Sequence, residues 1–166
     1  MLVYHPAYDA YHCLFRMMAI IERTGELEID KLKILDFYIL FPSLLSNVKM
    51  PRQFIKVKKS AERFYNEYHD PMNPGMIFKE MRHIQDAAIK CMLAAGYIDS
   101  DELSNGYVLR TDKKLPEKIA LEMRDFLINK EPFSSFIIQN MAKFHLTGPD
   151  GLKSRTQLME HRYDIH

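Results

Sequence analysis

The residues of this sequence that could do chemistry are its seven histidines, two cysteines and a few acidic clusters, and their spacing argues against a site in each case. No two of His5, His12, His69, His83, His145, His161 and His166 stand at i, i+4 with a carboxylate between them, and neither Cys13 nor Cys91 has a Cys-x-x-Cys partner, so the ligand spacing of a metal centre is missing. His12 and Cys13 are neighbours, and adjacent side chains on a helix diverge by about 100°, too far to act as an activated couple. Asp99, Asp101 and Glu102 could chelate a hard cation but lack the glycine and distal glutamate of a calcium loop, so they read as a solvated loop tip. No phosphate-binding loop, dinucleotide fingerprint or Gly-x-Ser-x-Gly elbow occurs. A hydrolase built on Asp36 and His12 would lack supporting geometry. The expectation is a protein without cofactor or metal that is not an enzyme.

What remains is binding. The net charge is +1, from 23 Lys and Arg against 22 Asp and Glu, so no global field draws the chain to a polyanion and any nucleic-acid contact must be local. Lys49, Arg52, Lys56, Lys58, Lys59 and Arg63, interrupted by Glu62 alone, are the local candidate for DNA; the alternative is the solvated face of a helix. With 10 Phe, 9 Tyr and 11 Met, the sequence is rich in the side chains favoured at interaction surfaces. Tyr4, Tyr8 and Tyr11, and the cluster of Phe37, Tyr38 and Phe41, exceed what a small domain readily hides, which points to an obligate protein partner.

The elements that must position these groups are mainly helical. Tyr11, Leu14, Phe15, Met18 and Ile21 mark a first amphipathic helix over residues 8–23, stopped by Thr24-Gly25. Residues 26–29 alternate like a short strand; Asp30 then caps a helix, apolar nearly all round, that ends at Phe41-Pro42 and belongs either in a core or against a partner. Phe54, Val57, Ala61, Phe64 and Tyr68 follow a helical stripe opposite Lys56, Lys59 and Arg63, and residues 70–75 form a turn-rich connector. A helix over 77–95 leads to Gly96, then Tyr97-Ile98, an acidic loop and Tyr107-Val108-Leu109, which predicts a hairpin, or wing. Pro116 and Pro132 fit the first positions of two more helices.

The fold expected is therefore mainly α with a small β-hairpin, a winged-helix-like domain with additional helices. Its domain spans residues 1–146, followed by a polar docking tail over 147–166. In that tail Leu158, Met159 and Tyr163 would be apolar anchors, and Arg155 and Arg162 would pair with partner carboxylates. With 166 residues, 47% of them hydrophobic, the chain can bury a core without staples. Two unmotivated cysteines and a start without a signal-peptide pattern suggest a cytoplasmic protein. The apolar run from Ile34 to Leu45, broken by Asp36, Pro42 and Ser43, falls short of the ~20 residues a bilayer span needs.

Three blocks carry a family resemblance. The opening Tyr4-His5-Pro6-Ala7-Tyr8-Asp9-Ala10-Tyr11-His12-Cys13-Leu14-Phe15-Arg16, the segment Ile34-Leu35-Asp36-Phe37-Tyr38-Ile39-Leu40-Phe41-Pro42 and the tail from Gly151 to Asp164 resemble the middle component of bacterial ABC-three-component systems, the Lamassu type among them. The resemblance implies a non-catalytic subunit between an SMC-like coiled-coil ABC ATPase and an effector, usually a nuclease, in defence against phages or plasmids. It also implies that the ATPase subunit holds ATP and does most of the DNA sensing. The competing reading is a free winged-helix transcription regulator, which the acidic wing and the mixed charge of the preceding helix disfavour.

Overall fold

The computed structural model describes residues 5–159. α1 (Ala10–Thr24) begins where the Asp9 carboxylate accepts the His12 N–H at 2.9 Å, and ends where Gly25 adopts a φ of 79° and returns its N–H to Ile21. A side chain at Gly25 would be strained in that left-handed conformation. β1 (Glu26–Glu28) leads directly into α2 (Ile29–Leu40), on which every residue from Lys31 to Leu40 is buried. The helix thus forms the centre of the core, surrounded by α1 and by α4 (Pro74–Ala94) and α7 (Phe133–Gln139). A helix apolar nearly all round requires such surroundings.

Lysines on a central helix need partners, and both have them. The Lys31 ammonium donates to the Ala142 carbonyl and lies 3.3 Å from Glu28, while Lys33 reaches Asp86 at the surface of α4. A 3-10 turn over Pro42–Asn47 follows α2 and supports α3 (Ile55–Glu62), a short amphipathic helix that buries Ala61.

The region expected to be a hairpin is built differently. β2 (Tyr107–Leu109) takes its regular partner from far along the chain, pairing antiparallel with β1 in the register Glu26–Leu109, Leu27–Val108 and Glu28–Tyr107. Ile98 joins only as a single bridge to Arg110 on the other side of β2. Between them the acidic stretch is a helical turn, α5 (Ser100–Ser104), because Asp99 accepts the Glu102 N–H at 2.9 Å. Asp101 and Glu102 then sit in a first turn whose dipole favours negative charge. The acidic cluster is a helix start, not a loop tip. The fold is mainly helical with a two-stranded antiparallel sheet.

α6 (Glu117–Asn129) and α7 follow, with Pro116 and Pro132 just before their first residues. The connector after α7 was expected to release a tail, and up to residue 159 it does the opposite. α8 (Leu152–Thr156) is held by bonds from the Leu152 N–H to the His145 carbonyl and from the Lys49 N–H to the Arg155 carbonyl. Leu152 is fully buried, Met159 is part of the core, and Leu158 packs against it. The division at residue 146 is corrected accordingly: the described part of the tail belongs to the domain. No helix among the described residues is long and apolar enough to cross a membrane.

Candidate functional site

Beneath the opening block lies a buried polar network. Arg16 on α1 is 3% exposed and donates through Nε and Nη2 to the two carboxylate oxygens of Asp36 on α2, at 2.7 and 3.2 Å. Gln85 on α4 donates to the same carboxylate at 2.9 Å and to the Lys33 carbonyl at 3.1 Å. Three helices are cross-linked through one acid. Cys13 lies 3.8 Å from Asp36, and burial, followed by the carboxylate charge, pushes its thiol well above the ordinary range. A thiol that resists ionisation is no nucleophile. His12, meanwhile, faces Asp9 and is exposed, so it does not join Asp36 in an acid–base pair. Among the described residues no group of three or more His, Cys, Asp or Glu side chains is arranged to hold a metal ion.

The exposed chemistry is elsewhere. Arg52, Lys56, Lys59 and Arg63 recur at helical spacing along one exposed face of α3 and its preceding turn, with Lys49 exposed before them and Lys58 half-buried. Among the described residues none of these six cations forms an ion pair. Beyond the last turn of α3 the chain presents a run of large apolar side chains. Phe64, Tyr65 and Met76 are exposed, Tyr68 is 91% exposed and Met72 97%. Among the described residues Phe64 alone of these has an aromatic neighbour from the body, Phe133 at 5.2 Å.

The loop that carries this run is fixed by Asp70. Its carboxylate accepts the Ser43 hydroxyl at 2.6 Å and the Asn66 N–H at 2.9 Å, and faces His69 Nδ1 at 3.0 Å. Burial alone would raise the Asp70 pKa; the hydrogen bonds from Ser43, Asn66 and His69 outweigh it and hold the group below its ordinary value. The exposed aromatics therefore project from an anchored turn. They were missed by the helical stripe that extended to Tyr68, because α3 ends at Glu62 and an Asn66 side chain capping the Tyr68 N–H takes over. Asn66 and Asp70 four residues apart are the local signal for that turn.

The other sequence-derived site residues are placed as follows. Phe37 and Phe41 are fully buried and Tyr38 is 3% exposed, with Phe37 in edge contact with Tyr38 and Phe78. These three are core of this chain and present no surface to a partner, which corrects the expectation placed on them. Arg155 is committed to its own domain: it lies over the Phe144 ring at 5.1 Å and donates to the Lys49 carbonyl at 3.0 Å. Leu158 and Met159 are likewise packed inward. Arg162 and Tyr163 lie outside the described residues.

A family model, that of the ABC-three component (ABC-3C) system Middle Component 5, matches residues 2–164. Comparison with curated proteins and with solved structures finds no match.

Proposed function

Because the chain belongs to the ABC-three component (ABC-3C) system Middle Component 5 family, we propose that it is the non-catalytic adaptor of such a system, joining an SMC-like coiled-coil ABC ATPase to an effector, a nuclease, in cytoplasmic defence against phages or plasmids. The observation that carries this reading is the anchored turn bearing Phe64, Tyr65, Tyr68 and Met72 beside a cationic ridge. Large aromatic and methionine side chains held out in water are the usual core of a protein interface, and a polar or charged rim surrounds such cores. The resemblance of the opening block supports placing the system among the Lamassu type.

The order α1, β1, α2, then α4 leading to Ile98 and β2, with β2 between β1 and Ile98, supports a winged-helix reading of the centre of the fold. The basic cluster lies on and around α3, outside that arrangement, and the exposed cations of α4, Lys79, Arg82 and Lys90, are mixed with Glu80 and Asp86, so a free regulator reading a major groove is disfavoured.

Co-expression with the ABC ATPase of the same system tests the adaptor role. Tyr68→Ser with Met72→Ser should lower co-purification at least about thirty-fold, as expected when interface anchors worth about 2 kcal/mol are removed, and leave the melting temperature unchanged because both side chains are solvated. Undiminished co-purification would refute the role of this turn. Replacing Lys56, Lys58 and Lys59 by Glu should weaken DNA binding by the assembled complex and flatten its salt dependence by about 2–3 in log–log slope, since each lost phosphate contact removes about 0.9. An unaltered slope would leave these residues as a solvated face.

A further inference from the structure

A cavity of about 380 Å³ opens on the outer side of α1, where the chain turns past α6. That volume lies within the roughly 300–1,000 Å³ range of small-molecule sites. Its walls are aromatic: Tyr11 and Phe15 from α1 and Phe126 from α6, with Phe15 and Phe126 meeting edge to face at 5.5 Å. Two cations, Arg16 and Lys130, reach it from different elements.

Both cations have binding capacity to spare. Arg16 gives Nε and Nη2 to Asp36, but among the described residues its Nη1 donates to nothing. Arg16 lines the cavity, so its guanidinium stands at the cavity wall. Asp36 sits behind the guanidinium and is not part of the lining. Lys130 has no carboxylate within ion-pair distance; its ammonium stands 5.8 Å from the centre of the Phe126 ring. Burial, and then the neighbouring Arg16 charge, lower its pKa against the smaller opposing effect of the Asp70 carboxylate, which lies beyond ion-pair distance. A desolvated ammonium facing a second cation is an arrangement that a bound counter-charge relieves. Among the described residues Glu122 is the one Asp or Glu that lines the cavity, and it is exposed, where solvent and salt screen it.

We propose that this cavity binds a small organic anion, its carboxylate or phosphate head held between Arg16 and Lys130 and its flat apolar body packed among Tyr11, Phe15 and Phe126. The site adjoins the anchored turn through His69, which lines the cavity, but uses none of the exposed side chains on which the adaptor reading rests. Head and body are read by different groups, so the two halves of the ligand contribute separately to affinity.

Calorimetric titration of the full chain with phenyl phosphate and with benzoate tests this, with benzyl alcohol as the neutral counterpart. Saturable binding of either anion at least about ten-fold tighter than benzyl alcohol is expected, together with a roughly ten-fold weakening in Lys130→Gln, one decade being the loss of about 1.4 kcal/mol. Tyr11→Ala, at an exposed wall position, should weaken phenyl phosphate but not inorganic phosphate, and it decides the matter if Lys130→Gln does not fold. No saturable binding of either anion up to about 10 mM, equal binding of benzyl alcohol, or an unchanged affinity in a folded Lys130→Gln or Tyr11→Ala variant would overturn the proposal.

Discussion

Asp36→Ala should destabilise the protein by about 3–5 kcal/mol, the cost of leaving one partner of a buried ion pair without the other. Removing this carboxylate orphans the Arg16 guanidinium, 3% exposed, and one of the two bonds made by the Gln85 amide. Since small domains are held by only about 5–15 kcal/mol, a large part of the total would go. Urea unfolding followed by circular dichroism measures it as a fall in the midpoint. Asp36→Asn keeps the shape but not the charge, so it should also be destabilising, by less. The informative control is the apolar double variant Arg16→Met with Asp36→Leu, because a well-packed hydrophobic pair often replaces a buried ion pair at no cost. Recovery of the midpoint in the double variant would show that the single variant suffers from an uncompensated charge. An Asp36→Ala midpoint equal to that of the parent chain would exclude a structural role for the network.

That network also shows which parts of the fold were legible in the sequence. The end of α1 was, because Gly25 supplies a left-handed residue there; its start, expected at residue 8, lies two residues later, because the apolar spacing does not weigh the cap that the Asp9 carboxylate supplies. The apolar surround of α2 was legible as well, but not its destination. Phe37, Tyr38 and Phe41 have the chemistry of an interface and the packing of a core, and only the positions of α1, α4 and α7 around them decide between the two. Pairing was least legible. Tyr97-Ile98 and Tyr107-Val108-Leu109 are near neighbours in sequence, yet β2 pairs fully with β1, about eighty residues away, as the register of Leu27 with Val108 records. The Asp99 cap converts the intervening stretch to helix, which local β-propensity does not anticipate.

The candidate interface divides in the same way. The cations of α3 were legible because the spacing of Arg52, Lys56, Lys59 and Arg63 is itself helical. The exposure of the aromatics just beyond was not, because the same periodicity, carried past Glu62, placed Phe64 and Tyr68 on the apolar stripe of a continuing helix. The side-chain bonds of Asn66 and Asp70 end the period and turn the apolar groups outward. Exposure there follows from a turn and not from a helix face.

The segment after residue 146 offers a clear separation between packing within the chain and docking to a partner. Leu152 is fully buried, and its truncation to Ala should cost about 2–5 kcal/mol, a fall of roughly 5–20 °C in melting temperature for a domain of this size. Gly151→Ala approaches the same contact from the backbone. A methyl group there would stand 2.2 Å from the Thr147 carbonyl oxygen, a distance the chain can relieve only by moving the connector that seats α8. With φ at −76° the residue is not in the left-handed region, so the requirement for glycine is one of space. Overpacking of this kind costs about 1–3 kcal/mol. Differential scanning calorimetry of the isolated chain should therefore show both variants melting below the parent, Leu152→Ala the lower of the two. If both melt with the parent and only co-purification with the ATPase falls, α8 serves a partner and not its own core. If both melt lower, loss of co-purification in a tail variant reflects an unfolding domain, and the anchors must be sought on the exposed turn at Tyr68 and Met72 instead.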